Sequence, residues 1–255
     1  MNHRFDSDTK ALKHREKLNS EGALYNLEDW IIKQVKPFPG MRILDLGCGT
    51  GKQIFTLAGL VAPAGSILGL DISKEAVNEV NQRAKKAKLS QVRAIAGDLD
   101  ECPKLLKNSK FDLIISTYAI YYAQSVKQLL RDLKTQLNPK GQIFICCPGR
   151  GTNQEIFNLV NSVVTNPALK KLPVKDRVSE SDINEIGKHY AKVKTVRLAN
   201  KIQFDYPNEV LQWWQHHNSY NPQIYNDVKK QLKSHFAKKK RFILTKNVLG
   251  VHFYL

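Results

Sequence analysis

Between Arg42 and Cys147 the chain repeats one pattern: a short apolar run, a turn, then a stretch with helical spacing. Arg42–Leu46, Ser66–Asp71, Gln91–Ala96, Phe111–Ser116 and Gln142–Cys147 read as strands. Gln53–Leu60 reads as a helix, and Ser73 caps another whose apolar face carries Ala76, Val77, Val80 and Ala84. Val126–Leu137 is the third long helix, with Leu129, Leu130, Leu133 and Leu137 on one side, and Pro139–Gly141 turns the chain into the fifth strand. Strands separated by helices at this spacing form βαβ units and a parallel sheet. Several units in series predict a doubly wound α/β fold with helices on both faces, and ligands in such folds sit beyond the carboxyl ends of the strands.

The flanks are less regular. Residues 8–35 have helical spacing through Leu12, Leu18, Leu24, Leu27, Trp30, Ile31 and Val35, with Ser20 able to cap the second of two short helices. After residue 150, residues 153–164 and 180–189 read as helices and Lys192–Phe204 as a strand. Pro207–Asn218 and Pro222–Lys239 read as two further helices, and Arg241–Leu255 closes the chain as a strand pair or one long strand. The expected organisation is an N-terminal helical lid over 1–36, an α/β core over 37–150, and the rest of the sheet with inserted cap helices over 151–255, all one structural domain. A chain of 255 residues with 42% apolar residues can bury such a core, and 14 Gly, 10 Pro and 4 Cys exclude collagen-like and disulfide-scaffold classes. No apolar run is long enough to span a bilayer, and the N-terminus carries no secretory signal. Cys48, Cys102, Cys146 and Cys147 form no C-x-x-C pair and have no histidine at metal-ligand spacing. They read as free thiols with no metal site, hence a cytoplasmic protein.

The segment that carries chemistry joins the first strand to the first helix: Asp45, Leu46, Gly47, Cys48, Gly49, Thr50, Gly51, Lys52. It fails as a phosphate-binding P-loop, because Leu46 stands at the first glycine position and Gln53 where Ser or Thr is needed. It fails as a strict dinucleotide fingerprint, because Lys52 stands at the third glycine position. An aspartate two residues before the first of three alternating glycines is a rarer combination.

That D-x-G-x-G-x-G pattern after a strand resembles motif I of the class I S-adenosylmethionine (SAM)-dependent methyltransferases, and the resemblance covers about residues 40–150. It implies a Rossmann-like, mostly parallel seven-stranded sheet with N-terminal helices and a helical cap. It implies SAM as cofactor and S-adenosylhomocysteine as product. Gly47, Gly49 and Gly51, with Cys48 between them, would let the backbone lie against the methionine part of the cofactor, and Asp45 would hold its amino group or the water around it. Asp71, at the end of the second strand, would accept both ribose hydroxyls, with Ile72 packed on the adenine. Asp98 would accept from the adenine amino group, Leu99 would offer its backbone N–H to a ring nitrogen, and Ser116 would complete the cofactor set. Taken singly, Asp71 could instead cap the following helix and Asp98 could sit in a polar loop. Asn138–Gly141 resembles the family's L-x-P-G-G turn, with Lys140 where the family usually has glycine.

Ser116–Tyr122 after the fourth strand lacks the [DN]-P-P-[YF] motif of adenine amino-methylating enzymes and the Pro-Cys of pyrimidine C5 enzymes. Cys147, after the fifth strand, reads as a small strand-end residue. The stretch looks like the x-A-L-H-x segment of small-molecule methyltransferases of the ubiquinone, trans-aconitate and juvenile-hormone-acid type, with Tyr121 where histidine is common. A phenol is a poor base at neutral pH, so Tyr121 reads first as a pocket wall. His217 is the other candidate base, although a surface histidine pair with His216 is the plainer reading. Candidate acceptor contacts are Tyr118, Tyr122, Trp213, Trp214 and Tyr25, the last on a lid with Trp30. Trp213 and Trp214 cannot share one helical face equally, so one of them is expected to look elsewhere, into a substrate pocket or to a partner.

The resulting reading is a methyltransferase acting on an oxygen or nitrogen of a small molecule by in-line displacement. The formal net charge of +17 leaves open an RNA or protein substrate, as does Asn226–Leu255 with eight basic residues against Asp227 alone. The spread of lysines along the chain favours solvated helix faces instead. A SAM-binding partner subunit without catalysis is the third reading, and the oligomeric state is not readable.

Overall fold

The structure is a computed structural model that describes residues 17, 22–167, 170–217 and 219–255. Leu12, Leu18 and Ser20 lie outside the described residues. The described elements run α1 (Leu27–Val35), β1 (Arg42–Leu46), α2 (Lys52–Val61), β2 (Ser66–Asp71), α3 (Lys74–Lys86), β3 (Val92–Ala96), α4 (Cys102–Leu105) and β4 (Phe111–Thr117). They continue with α5 (Val126–Leu133), β5 (Leu137–Pro148), α6 (Gln154–Val163), α7 (Glu180–Gly187), β6 (Lys192–Phe204), α8 (Pro207–Gln215), α9 (Tyr225–Lys238) and β7 (Phe242–Tyr254). Among the described residues no helix is long and apolar enough to cross a membrane.

The strands form a seven-stranded sheet in the order β3-β2-β1-β4-β5-β7-β6, parallel through the first five and closed by an antiparallel β7. This is the Rossmann-like methyltransferase fold that the motifs implied. From β1 the chain winds out to β2 and β3, then returns to β4 on the other side. The carboxyl end of β1 is therefore the switch point where such sheets open a crevice. The C-terminal strand is one long element rather than a pair.

The chain divides into two compact units. The first contains Glu28–Cys147, Asp176–Val196 and Leu249–Leu255. Its core is built on strand residues buried to 1% exposure or less, among them Leu44, Leu46, Ile114, Ile143 and Ile145, with Leu130, Leu133 and Ile186 from the helices. Each such side chain contributes roughly 1.5–3 kcal/mol through its burial. Ser73 caps α3 by accepting from the Ala76 N–H at 3.2 Å, and Ala76, Val77, Val80 and Ala84 form the buried face. The four cysteines are buried free thiols. The second unit contains Pro148–Lys175, Arg197–Val248 and the described residues up to Leu27. Its core gathers Ile156, Phe157 and Val160 of α6, Val210, Leu211, Trp213 and Trp214 of α8, and Val228 and Leu232 of α9 around Ile202, Phe204, Phe242 and Leu244.

The structure differs from the sequence reading before β5. The helix expected to reach Leu137 ends at Leu133, a 3-10 turn takes Lys134–Gln136, and Leu137 opens β5 in extended backbone. Pro139 accounts for this, because a proline pushes the chain before it out of the helical region. Leu137 keeps its place in the core, now as a strand residue. Phe111 pairs with Leu137 and Leu113 with Gln142, so the intervening residues of β5 bulge out of register. Lys140 takes the left-handed conformation there, with φ 66°. The Asp112 carboxylate holds the bulge by accepting from Asn138 Nδ2 at 2.7 Å and from the Arg42 N–H at 2.8 Å.

Lys140→Gly removes the left-handed penalty of a non-glycine residue and adds freedom to the unfolded chain. The net expectation is a gain of about 0.5–1 kcal/mol, read as a higher urea midpoint with unchanged slope.

Candidate functional site: the glycine loop at the carboxyl ends of β1 and β2

The cofactor residues expected from the sequence, Asp45 to Ser116, all lie in the first unit. Gly47 and Cys48 both donate backbone N–H groups to the carbonyl of Leu70, at 2.7 and 3.1 Å, which folds the loop after β1 over the end of β2. Gly51 donates to the Cys48 carbonyl at 2.9 Å and starts α2 in the left-handed conformation at φ 84°. Gly47 sits at φ 70°, and a Cβ there would come within 2.2 Å of the Ala119 methyl. Glycine is required at this position both by the backbone and by the close approach of the segment after β4.

Asp71 ends β2 and organises the loop. Its Oδ2 accepts from the Gly49 N–H at 2.7 Å and its Oδ1 from the Ser73 N–H at 2.9 Å. It is not the cap of α3, since Ser73 takes that place. Each carboxylate oxygen keeps acceptor capacity beyond its one backbone bond, which is what a pair of vicinal hydroxyls needs. Ile72, next in the chain, leaves a large apolar side chain 68% exposed. Asp98 accepts from the Asp100 N–H at 2.9 Å, and Gly97 donates to the Asp71 carbonyl at 2.9 Å, which ties the end of β3 to the end of β2. Leu99 is half-buried against the core. The Ser116 hydroxyl is buried and donates to the Leu46 carbonyl at 2.8 Å.

Asp45 is the exceptional group. It is 1% exposed, and neither carboxylate oxygen has a hydrogen-bond partner among the described residues. Burial pushes its carboxyl up to about 7, and the neighbouring charge of Asp71 adds to the shift. Burial, with the charges of Asp45 and Asp71, also pushes the Cys48 thiol far up, so Cys48 is no thiolate nucleophile. A buried carboxylate without a partner is what a cationic ligand would satisfy. The ammonium and sulfonium of SAM are such cations, so the donor set fits that cofactor: Asp45 for the positive charge, Asp71 for the ribose, and bare glycine backbone between them.

After β4, Tyr118 stands at φ 57°, a costly conformation for an aromatic residue, with its N–H on the Cys146 carbonyl at 2.7 Å. Tyr121 and Tyr122 pack with ring centroids 4.7 Å apart, and the Arg177 guanidinium lies 5.3 Å from the Tyr121 ring centre. Burial, with Tyr122 beside it, drives the Tyr121 phenol well above its ordinary value, so its proton is held at neutral pH.

Several contributors carry no local signal in the sequence. The Arg83 guanidinium donates to the Thr50 carbonyl at 2.8 Å and lies 3.9 Å over the Phe55 ring, bracing the loop from α3. Lys52 is ion-paired with Glu28 of α1 at 2.7 Å. Ala119 faces Gly47. All three depend on contacts between residues far apart in the chain.

The remaining candidates belong to the second unit. Tyr25 is 57% exposed, while its backbone is bound on both sides by the Asn200 amide, at 3.1 and 2.8 Å. Trp213 and Trp214 do face different surroundings, and both are buried, at 3% and 0%. Trp214 meets Tyr220 edge-on at 5.0 Å and Trp213 stacks on His217 at 4.8 Å, so the helix has apolar cover on two faces. His217 is not a surface residue of a pair: it is half-buried, and only His216 is exposed.

A family model described as a methyltransferase domain matches residues 37–240, most of the chain. The chain belongs to the class I SAM-dependent methyltransferase domain family. It is 26% identical over 137 residues to a demethylmenaquinone methyltransferase of Geobacillus, a match covering 52% of this chain and 58% of that protein. The matches to such curated relatives span about half of each relative's length. A SAM-dependent methyltransferase from Aquifex aeolicus has the same fold, with TM-score 0.57 at 16% identity over 97% of this chain and 98% of that one. So does a phosphoethanolamine N-methyltransferase of Haemonchus contortus solved with SAM, with TM-score 0.61 at 17% identity over 98% of this chain and 58% of that one.

Gly47→Ala is expected to lose about 2–4 kcal/mol, the sum of a left-handed penalty and the clash with Ala119. Adding Ala119→Gly restores only the clash part. Urea unfolding of the single and double variants measures both, and full recovery in the double variant would show that the backbone conformation costs nothing.

Proposed function

We propose that the chain transfers the methyl group of SAM to an oxygen or nitrogen atom of a small molecule. The observation that carries this reading is the buried, unpartnered Asp45 carboxylate beneath the glycine loop and beside Asp71, a pair suited to a ligand that is cationic at one end and a diol at the other. The bound cofactor supplies a methyl group already activated for in-line displacement. The chain's residues then have a limited task. Asp45 fixes the cationic end, Asp71 fixes the ribose, Ile72 covers the adenine, Asp98 and the Leu99 N–H meet its edge, and the glycine backbone lets the ligand lie close. The segment Tyr118–Tyr122 would wall the acceptor and exclude water, which favours displacement by holding the nucleophile near and stripped.

No base is assigned. The Tyr121 proton is held firmly, which suits a positioning wall and an acceptor atom that arrives with an available lone pair. Small-molecule acceptors are favoured by the likeness to proteins named demethylmenaquinone methyltransferases. The net charge of +17 supports the second reading, a nucleic-acid acceptor.

Radiolabelled SAM with purified protein and native cell extract separates the two. Label is expected in the small-molecule fraction and to survive nuclease and protease treatment. Nuclease-sensitive label would contradict the small-molecule acceptor, and absence of transfer to any fraction would contradict catalysis.

A further inference from the structure

The second unit contains a cluster that the cofactor reading does not use. Lys246 lies on β7 with its ammonium 5.3 Å from the centre of the Trp213 ring. Trp213 stacks on His217 with ring planes 20° apart. His217 meets the Asn153 amide at 3.2 Å through Nε2 and Ser219 through Nδ1. The Ser219 backbone N–H donates to Nδ1 at 3.1 Å, so Nδ1 is an acceptor and the ring hydrogen sits on Nε2.

That tautomer decides how the Asn153 amide is oriented. Nε2–H needs an acceptor, which the amide supplies when its oxygen faces the ring; the amide nitrogen then takes the other place, where the buried Asn153 Oδ1 otherwise stands without a partner. In either orientation one polar end of a side chain only 4% exposed is unsatisfied among the described residues. With the oxygen on the histidine, that end is a donor.

Lys246 supplies a second donor close by, since the Asn153 N–H donates to the carbonyl of Thr245, its neighbour in β7, at 2.8 Å. The residue keeps some exposed surface, yet burial of its amine draws the pKa down to about 8. It makes no ion pair among the described residues. Glu155 does not neutralise it: its carboxylate is taken by Thr245, accepting the N–H at 3.1 Å and the hydroxyl at 2.5 Å. A desolvated ammonium over an aromatic face gains only part of what it loses in leaving water. One buried amide donor and a neighbouring ammonium that no acid neutralises among the described residues call for an anionic acceptor.

We propose that Lys246 and Asn153, walled by Trp213 and His217, form a binding site in the second unit for the anionic oxygen group, carboxylate or phosphate, of a small molecule. The inference does not rest on the cofactor reading, and its test needs neither cofactor nor turnover.

Calorimetric titration of the full chain with inorganic phosphate and, separately, with acetate at fixed ionic strength supplies the probes. At least one is expected to bind, and the arm that responds identifies the group. Lys246→Gln is expected to weaken that binding at least about tenfold while Lys246→Arg, which keeps the charge, stays within about threefold. Asn153→Asp retains a residue suited to the start of α6 but replaces the donor with a negative charge, and should weaken binding comparably even where Lys246→Gln does not fold. Failure of both anions to bind, or equal binding by wild type, Lys246→Gln and Asn153→Asp, would overturn the proposal.

Discussion

Two carboxylates stand at the carboxyl ends of adjacent strands, and only one of them is satisfied. Asp71 spends its oxygens on the Gly49 and Ser73 N–H groups. Asp45 is enclosed without a partner, and its carboxyl is pushed up to about 7 from 3.8. For a carboxyl raised on folding, the cost is absent below the unfolded value, grows as pH rises from 3.8 to 7, and is complete above it, at about 4 kcal/mol. The loop geometry follows from keeping this pair in place. The N–H groups of Gly47 and Cys48 converge on Leu70, Gly51 starts α2 with positive φ, and Arg83 reaches across from α3 to the Thr50 carbonyl. A cation placed beside Asp45 would reverse its cost, so the burial of this carboxylate and an affinity for a cationic cofactor are two sides of one arrangement.

The fold was legible in the sequence because its signals are local. The strands β1 to β4 are short runs rich in apolar residues, Ser73 announces α3, and Lys192–Phe204 carries its strand pattern from end to end. The error before β5 is local too. Leu137 continues the helical spacing of Leu130 and Leu133, and periodicity alone cannot tell a last helical turn from the first residue of a strand. Pro139 decided between them. Lys140, at the position where the resemblance implied glycine, occupies the left-handed conformation that glycine would take without strain.

The site was legible in part. Asp45, the glycines and Asp71 are spaced so that their order alone points to a loop between two strands. What the sequence could not give is the state of each side chain. Nothing in the residue string distinguishes Asp45, left unpaired, from Asp71, bonded twice. Nothing local predicts that Ala119 approaches Gly47, or that Glu28 pairs with Lys52. In the second unit the helical wheel separated Trp213 from Trp214 but did not reveal what each would meet. His217 and Tyr220, beyond the helix, give the two rings separate aromatic partners.

The role proposed for Asp45 is to take up the positive charge of SAM. Calorimetric titration of SAM between pH 6 and 7, in buffers of different ionisation enthalpy, tests it without an acceptor. Binding should release close to one proton at pH 6 through Asp45, with affinity rising about fivefold from pH 6 to pH 7, before the cofactor's own amine begins to lose its proton near pH 8. Asp45→Asn should abolish both effects and bind weakly throughout. Equal affinity at the two pH values with no proton released, or an Asp45→Asn variant that binds as tightly as the wild type, would contradict the account.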